Sequence, residues 1–381
     1  MTSTHAAVMR DVKTISLEDL DVGQIRDDEV LVRIESAGIC ATDIEILDEG
    51  FDALATPPVV LGHEGAGVVE QIGSAVTGLE PGDKVLLTSA NCGRCRACES
   101  GKPAYCEHHY DINFSGGRSD GSTSLTDDNG RPVHSHFFYQ SSWSTYAVAH
   151  ATSTIRVSPD VDPAVLGPFG CGVRTGAGSV LDVLQVAPGS SIAVFGLGAV
   201  GLTAIMAAKV AGASTIIAVA RKKPQLDRAL DVGATHVIDT TSTDDVPAAV
   251  RAIVGGSGVD FSLEATGNAA VMRTSVEVLG EMGHAVITGV AQGQTLEFDP
   301  WLLLGGRKVS GSTLGDSAPS ILLPRLVDLY LQGRFPIDRI ETHYPLDDIE
   351  KALADSRSGA VAKAVLHPSA PGAAGQGRRD G

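Results

Sequence analysis

Residues 191–220 run SIAVFGLGAVGLTAIMAAKVAGASTIIAVA, with Lys209 as the single charge. A span of that length could cross a bilayer. Its pattern argues against one continuous apolar helix. A short strand at 192–195 leads into the turn Gly196-Leu197-Gly198-Ala199-Val200-Gly201; a helical run follows to Ala211, Gly212 breaks it, and a β-branched strand ends at Ala220. Strand, glycine turn and helix in that order read as a buried βαβ unit that binds a dinucleotide. The first glycine makes the tight turn, the second admits the pyrophosphate to the backbone, and the third lets helix pack on strand. The helix N-terminus then faces the phosphates.

Downstream, short apolar strands such as THVID, VDFSLEAT and HAVITGV alternate with helical patterns, which implies a parallel sheet covered on both faces. Upstream, to about residue 157, the texture differs. Segments 29–35, 59–61, 66–72 and 84–88 are short, β-branched and bounded by Gly, Pro and Asp, as in an irregular β domain. After about residue 312 the alternation stops; helices are expected near 320–332 and 346–355 and a final strand near 360–366, returning to the first domain. The tail 368–381, PSAPGAAGQGRRDG, lacks packing bulk and is expected to be disordered.

The 381 residues suffice for two domains, and 43% hydrophobic with 20% charged residues marks a folded globular chain. A net charge of -17, with no basic run longer than Arg221-Lys222-Lys223, argues against nucleic acid or an anionic membrane as partner. The N-terminal MTSTHAAVMRDVKTISLEDL interrupts its apolar residues with charges before a signal-peptide core can form, so the expected location is cytoplasmic.

In such a compartment close cysteine spacing points to a metal. Cys92, Cys95, Cys98 and Cys106 have the spacing x2, x2, x7. Four thiolates suit tetrahedral zinc and leave no open position, so this site is expected to be structural. A bacterial iron–sulfur motif opens similarly but continues with x3-Cys-Pro, which is absent here. Cys40 and Cys171, taken singly, read as small core residues. With His63, in LGHEGAG, they make up two thiolates and an imidazole, a catalytic zinc set with one position free, although spacing alone leaves their convergence open.

The motifs GICATD, GHEGAGVVE, PGDKV, CGRCRAC, NFSGGRSDGS, PFGCGVRTGAG, VFGLGAVGL and GRFPIDRI occur in order between about residues 5 and 366. Together they resemble the zinc-containing medium-chain alcohol dehydrogenases, most closely the benzyl or aryl alcohol branch. The resemblance implies an α/β chain with two parts. A β-rich, GroES-like catalytic domain spans 1–172 and is completed by 314–367; a Rossmann-type coenzyme domain spans 173–313, with the active site in the cleft between them. It implies two zinc ions per chain, one on Cys40, His63 and Cys171 and one on the four clustered cysteines. Asp43 and Glu64 match carboxylates beside the catalytic metal, and Thr42 the hydroxyl that takes the alcohol proton. Thr175 and Val290 match residues on the coenzyme, and Lys363 a basic residue on its pyrophosphate.

Two positions depart from the pattern: Ala41 stands where relatives usually carry His or Arg, and Glu45 where some place a relay histidine. Within the superfamily, polyol and thiol-adduct formaldehyde dehydrogenases are the rival activities, and Cys171 argues against the first. A nucleotide-binding protein without catalysis is a more distant rival. A primary aromatic or allylic alcohol or its aldehyde is the expected small-molecule partner. A long segment 107–146 resembles dimeric relatives and suggests a homodimer.

The strand end at residue 220 bears on cofactor choice. An NAD-binding unit normally places Asp or Glu there to hold the adenosine ribose. Here the residue is Ala220, and Arg221, Lys222 and Lys223 follow. Without an acid to repel a 2′-phosphate, and with an arginine fork to receive it, NADP(H) is expected to be preferred, with NAD(H) as the alternative.

Overall fold

A computed structural model describes residues 2–50, 56–291 and 293–368. The chain divides into two units, one running to Cys171 and resuming at Glu341, the other Gly172–Ile340.

In the second unit six strands lie in the order His236–Asp239, Thr215–Ala220, Ser191–Phe195, Val259–Glu264, Leu279–Ile287 and Lys308–Gly311, and every neighbouring pair is parallel. Numbered along the chain this is 3-2-1-4-5-6, the doubly wound Rossmann order. Residues 191–220 are accordingly strand, helix Ala199–Ala211 and strand. Among the described residues no helix is long and apolar enough to cross a membrane. Gly196 takes φ +86°, and a Cβ on Gly201 would sit 1.8 Å from the Gly196 carbonyl oxygen, so turn and helix touch only because both are glycine. Ala193, Phe195, Ile217, Val219, Leu279 and Ala285 form the core under this sheet.

Two sheets build the first unit. The five-stranded one runs Val59–Val60, Thr2–Asp11, Thr14–Val22, Leu125–Thr126, Pro132–Val133. In the larger sheet Glu29–Gly38 is central, pairing with Gly65–Ile72, Tyr146–His150 and Lys363–His367; the last of these pairs in turn with Glu341–Pro345 at the edge. The alternation of Val30, Val32 and Ile34 in Glu29–Gly38 buries one face among Val8, Leu20, Leu61 and Trp143.

The unit boundary differs from the expected break at 313/314. Residues 314–340 belong with the coenzyme unit, because helix Pro319–Leu331 and the turn before it pack on Gly172–Gly178. Arg174 Nη2 donates to the Ser317 carbonyl at 2.7 Å, and Ser179 Oγ meets Ser312 Oγ at 3.1 Å. Only from Glu341 does the chain return to the first unit. Of the tail, residues 369–381 lie outside the described residues.

Candidate functional site

Cys40 follows strand Glu29–Gly38 and caps helix Ala41–Glu49; His63 and Glu64 immediately precede strand Gly65–Ile72. These elements and Cys171 bring one ligand atom each from Cys40, His63, Glu64 and Cys171 within 4.8 Å of one another. Asp43, in the first turn of the helix, fixes the arrangement. Its Oδ2 accepts from the Cys40 amide at 2.9 Å, and its Oδ1 accepts from the Gly62 amide at 3.2 Å and from His63 Nδ1 at 2.8 Å. With Nδ1 donating to a carboxylate, Nε2 is left to present a lone pair. That Nε2 is buried and has no hydrogen-bond partner among the described residues.

The electrostatics favour a cation at this point. A hydrogen bond from Cys171 pulls the Cys40 thiol well below its ordinary range against the effect of burial, and the same bond together with burial pushes Cys171 up. Burial opposes charge on His63, yet Asp43 and Cys40 outweigh it and raise the imidazole. Burial pushes Glu64 up to about 7, with Lys363 opposing. Two thiols and an imidazole whose distal nitrogen is held by a carboxylate fit a zinc ion, which would draw the protons off both thiols.

The second thiol set is closed. Cys92, Cys95, Cys98 and Cys106 also lie within 4.8 Å of one another, with Cys95 and Cys98 sulfurs 3.5 Å apart, and no disulfide joins them. Backbone amides at Cys98 and Glu107 bring Cys95 down to about 6, whereas burial pushes Cys98 up to about 12. The Arg94 amide lowers Cys92 as well, and burial raises Cys106, so two thiols that favour the thiolate stand beside two that resist ionisation, which a tetrahedral ion would resolve.

Around the first set, Thr42 Oγ1 lies 4.0 Å from Cys40 Sγ. Glu45, half-buried on the same helix, is raised by burial, by Glu49 and by the charge of Cys40. Lys363 is buried; its Nζ pairs with Glu64 and donates to the Ile39 carbonyl at 2.9 Å, so its ammonium is engaged inside the first unit. Thr175 is half-buried on helix Gly172–Gly178 in the other unit, and Ala41 is exposed.

Sequence reading passed over three residues here. Phe138 stacks on His63 with centroids 4.4 Å apart, Phe137 meets the same ring edge-on at 5.6 Å, and Gln140 ties their loop to the strand beyond the histidine. The only available signal was the run HFFYQSS, which has neither helical nor strand period.

In the second unit a crevice of about 620 Å³ opens beside the glycine turn. Gly196, Leu197, Gly198, Ala220 and Arg221 line it, joined by Thr266. Ala199, Val200 and Gly201 form the first helical turn, while Lys222 caps the next helix and Val290 is exposed, neither of them lining the crevice. Arg221 is exposed without an ion-pair partner among the described residues; Lys223, by contrast, is paired with Asp227 at 2.7 Å.

Comparison with known proteins matches residues 26–159 to an alcohol dehydrogenase GroES-like domain and residues 199–330 to a zinc-binding dehydrogenase domain. The chain is 36% identical over 367 residues to a geraniol dehydrogenase of Castellaniella defragrans, covering 96% of this chain and 97% of that protein. It is 37% identical over 358 residues to the class-3 alcohol dehydrogenase of Myxine glutinosa, covering 93% and 94%. Among solved structures, benzyl alcohol dehydrogenase from Acinetobacter calcoaceticus matches with a TM-score of 0.92 at 41% identity, covering 97% of this chain and 100% of that one.

Proposed function

We propose that this chain, which belongs to the zinc-dependent medium-chain alcohol dehydrogenase family, interconverts primary aromatic or allylic alcohols and their aldehydes, with NADP(H) preferred over NAD(H). The substrate reading rests chiefly on the resemblance of the chain's motifs to the benzyl or aryl alcohol branch, while Phe137 and Phe138 are buried behind His63 and serve as its backing. The relatives that act on geraniol and benzyl alcohol agree with it. Cofactor preference rests on Ala220 and the unpaired Arg221 in the crevice.

Two zinc ions per chain are part of this reading, one on Cys40, His63 and Cys171 and one on Cys92, Cys95, Cys98 and Cys106. When bound, the first supplies a Lewis acid that acidifies the alcohol, and the nicotinamide supplies the hydride acceptor. Asp43 keeps His63 in the one tautomer that can ligate. Thr42 takes the hydroxyl proton and hands it outward, because a hydroxyl both accepts and donates. Glu45, made more basic by burial and by the neighbouring Glu49 and Cys40, receives it in place of a relay histidine.

Two further elements complete the proposal. Lys308–Gly311 ends the parallel sheet, and Met282, Trp301 and Leu304 are exposed in the segments beside it, so pairing of two such edges in a homodimer would cover apolar surface. A sedimentation mass of four chains would exclude it. All six cysteines are free, which suits the reducing cytoplasm.

Steady-state rates with benzyl alcohol, cinnamyl alcohol, geraniol, hexanol and sorbitol, each with NADP and NAD, test the whole reading. The aromatic and allylic alcohols should lead in kcat/KM; hexanol or sorbitol leading would overturn the substrate class.

A further inference from the structure

Glu264 ends the strand Val259–Glu264, in register with Phe195 on one neighbouring strand and Ile287 on the other. Both partners are apolar, so the sheet itself asks for no acid here, yet Glu264 is a carboxylate and is buried. A buried carboxylate costs stability unless polar groups gather round it. The groups that do so belong to two loops at the carboxyl ends of the strands, where an open parallel sheet binds its ligand.

One oxygen, Oε1, accepts from both the amide and the hydroxyl of Thr266. The other lies against the second loop, since a Cβ added to Gly289 would come within 2.7 Å of Oε2. Burial pushes this carboxyl up, while Thr266 and the amides of Gly267 and Gly289 oppose the rise. The loops also meet directly: a Cβ on Gly267, at φ +72°, would stand 2.5 Å from the Val290 carbonyl oxygen, and one on Gly289 2.3 Å from the Gly267 amide nitrogen. Glu264 therefore staples loop 265–267 to loop 289–290.

Thr266 carries the effect to the crevice beside the glycine turn, which it lines together with Gly196, Gly198 and Arg221. Its methyl group is the nearest atom that a Cβ on Gly196 would strike, at 2.8 Å. A chain of contacts thus runs from Glu264 through Thr266 to the first glycine of the turn, although Glu264 does not line the crevice.

We propose that Glu264 is a positioning residue for the dinucleotide: it fixes Thr266 against Gly196 and so holds the crevice in its binding shape before the coenzyme arrives. The proposal rests on the dinucleotide reading of the glycine turn. Preorganisation of this kind acts on affinity and leaves the chemical step alone. Glutamine at 264 keeps the length of the side chain but replaces one acceptor oxygen by a donor, so whichever way its amide turns, one of the two loops loses its acceptor.

Fluorescence titration of the zinc-loaded enzyme with NADPH, and in parallel with NADH, tests the proposal. Glu264→Gln should raise the Kd of the better-bound coenzyme by about tenfold or more, in line with loss of hydrogen bonds to a charged group. Thr266→Val should raise it several-fold, and the double variant should bind no more weakly than Glu264→Gln alone, because both changes break one contact. Single-turnover hydride transfer at saturating coenzyme should match the parent in Glu264→Gln. A Kd equal to the parent's in either single variant, whatever happens to the melting temperature, would overturn the proposal; so would additive losses in the double variant, or a hydride step that falls as far as the affinity. Tight coenzyme binding by the parent alongside equal binding by Glu264→Gln removes the role of Glu264 alone, whereas a parent that binds neither coenzyme removes the dinucleotide reading with it.

Discussion

Phe138 lies flat on His63, ring on ring, with centroids 4.4 Å apart and planes 22° from parallel. The backbone that puts it there is unusual: Phe138, Tyr139 and Ser141 take φ of 49°, 52° and 47°, left-handed values that non-glycine residues seldom adopt. Gln140 and Ser141 hold the loop in this shape. The Gln140 Oε1 accepts from the Gly65 amide at 2.9 Å and its Nε2 donates to the His63 carbonyl at 3.0 Å, while Ser141 Oγ donates to the Val60 carbonyl at 2.6 Å. Strain of this kind persists only where the surroundings over-determine it.

Gln140→Leu should therefore cost about 1–3 kcal/mol in urea unfolding, because it leaves a buried amide and carbonyl without partners. The same variant should release the zinc near His63 to a chelator faster than the parent, with the four-cysteine zinc retained. Metal analysis over time reads both; identical release curves would show that the loop does not position the histidine.

Cys171→Ser should abolish turnover with little change in melting temperature, since it touches a site with an open position. Cys95→Ser should act chiefly on stability, because a closed metal site is coupled to local folding. Equal losses of melting temperature would remove the distinction between the two sites.

Thr42→Ala should lower kcat/KM for alcohol oxidation by about a hundredfold or more, in line with loss of a positioned proton carrier. If Glu45 is the next carrier, Glu45→Gln should change the pH profile of turnover. An unchanged profile would assign Glu45 to solvation alone.

The pair Ala220→Asp/Arg221→Ile should reverse the cofactor order, from NADP ahead to NAD ahead in kcat/KM. An acid placed there repels the 2′-phosphate, and removal of the guanidinium takes away its fork. Better efficiency with NAD in the parent would refute the reading of this strand end.

Acid sensitivity is expected to centre on Glu29. Burial alone would raise this carboxylate, but His136 and the Arg118 guanidinium, whose Nε and Nη2 each lie 2.7 Å from it, hold it far below the usual range. A depressed folded-state value stabilises the fold above the unfolded value of about 4.3 and is lost as pH falls through that value toward the folded one. His136, which burial keeps neutral, adds a loss of the same sign below about pH 6.5. Glu29→Gln should cost about 3 kcal/mol at pH 7 and flatten the decline between pH 5 and 3. Urea midpoints at each pH measure it, and parallel curves for parent and variant would exclude Glu29 as the source.

The parallel sheet was legible because its strands are short apolar runs separated by helices of amphipathic period, and because three glycines mark one turn. Cys40, His63 and Cys171 could be nominated by residue type, but their meeting depends on three separated segments that only the folded sheet brings together. Residues 314–340 went to the wrong unit because periodicity reports a helix and not its packing partner. Phe138 and Gln140 sit in a loop held by side-chain to backbone bonds, which leave no repeating pattern in sequence. The identity of Lys363 was legible; its burial against Glu64 was not.

The strand Lys363–His367 pairs Val365 with Gly38 and Leu366 with Ala37, joining nearly opposite ends of the chain. During synthesis, then, the entire second unit leaves the ribosome before the first can close its larger sheet. Cys40, His63, Glu64 and Cys171 are all made well before Lys363, so until the last strand docks, Glu64 is a buried carboxylate awaiting the Lys363 ammonium. The strand Lys363–His367 thus acts as a completion signal: a chain cut short of residue 363 would hold every residue of the two cysteine-containing clusters and still lack the charge that pairs with Glu64 in one of them.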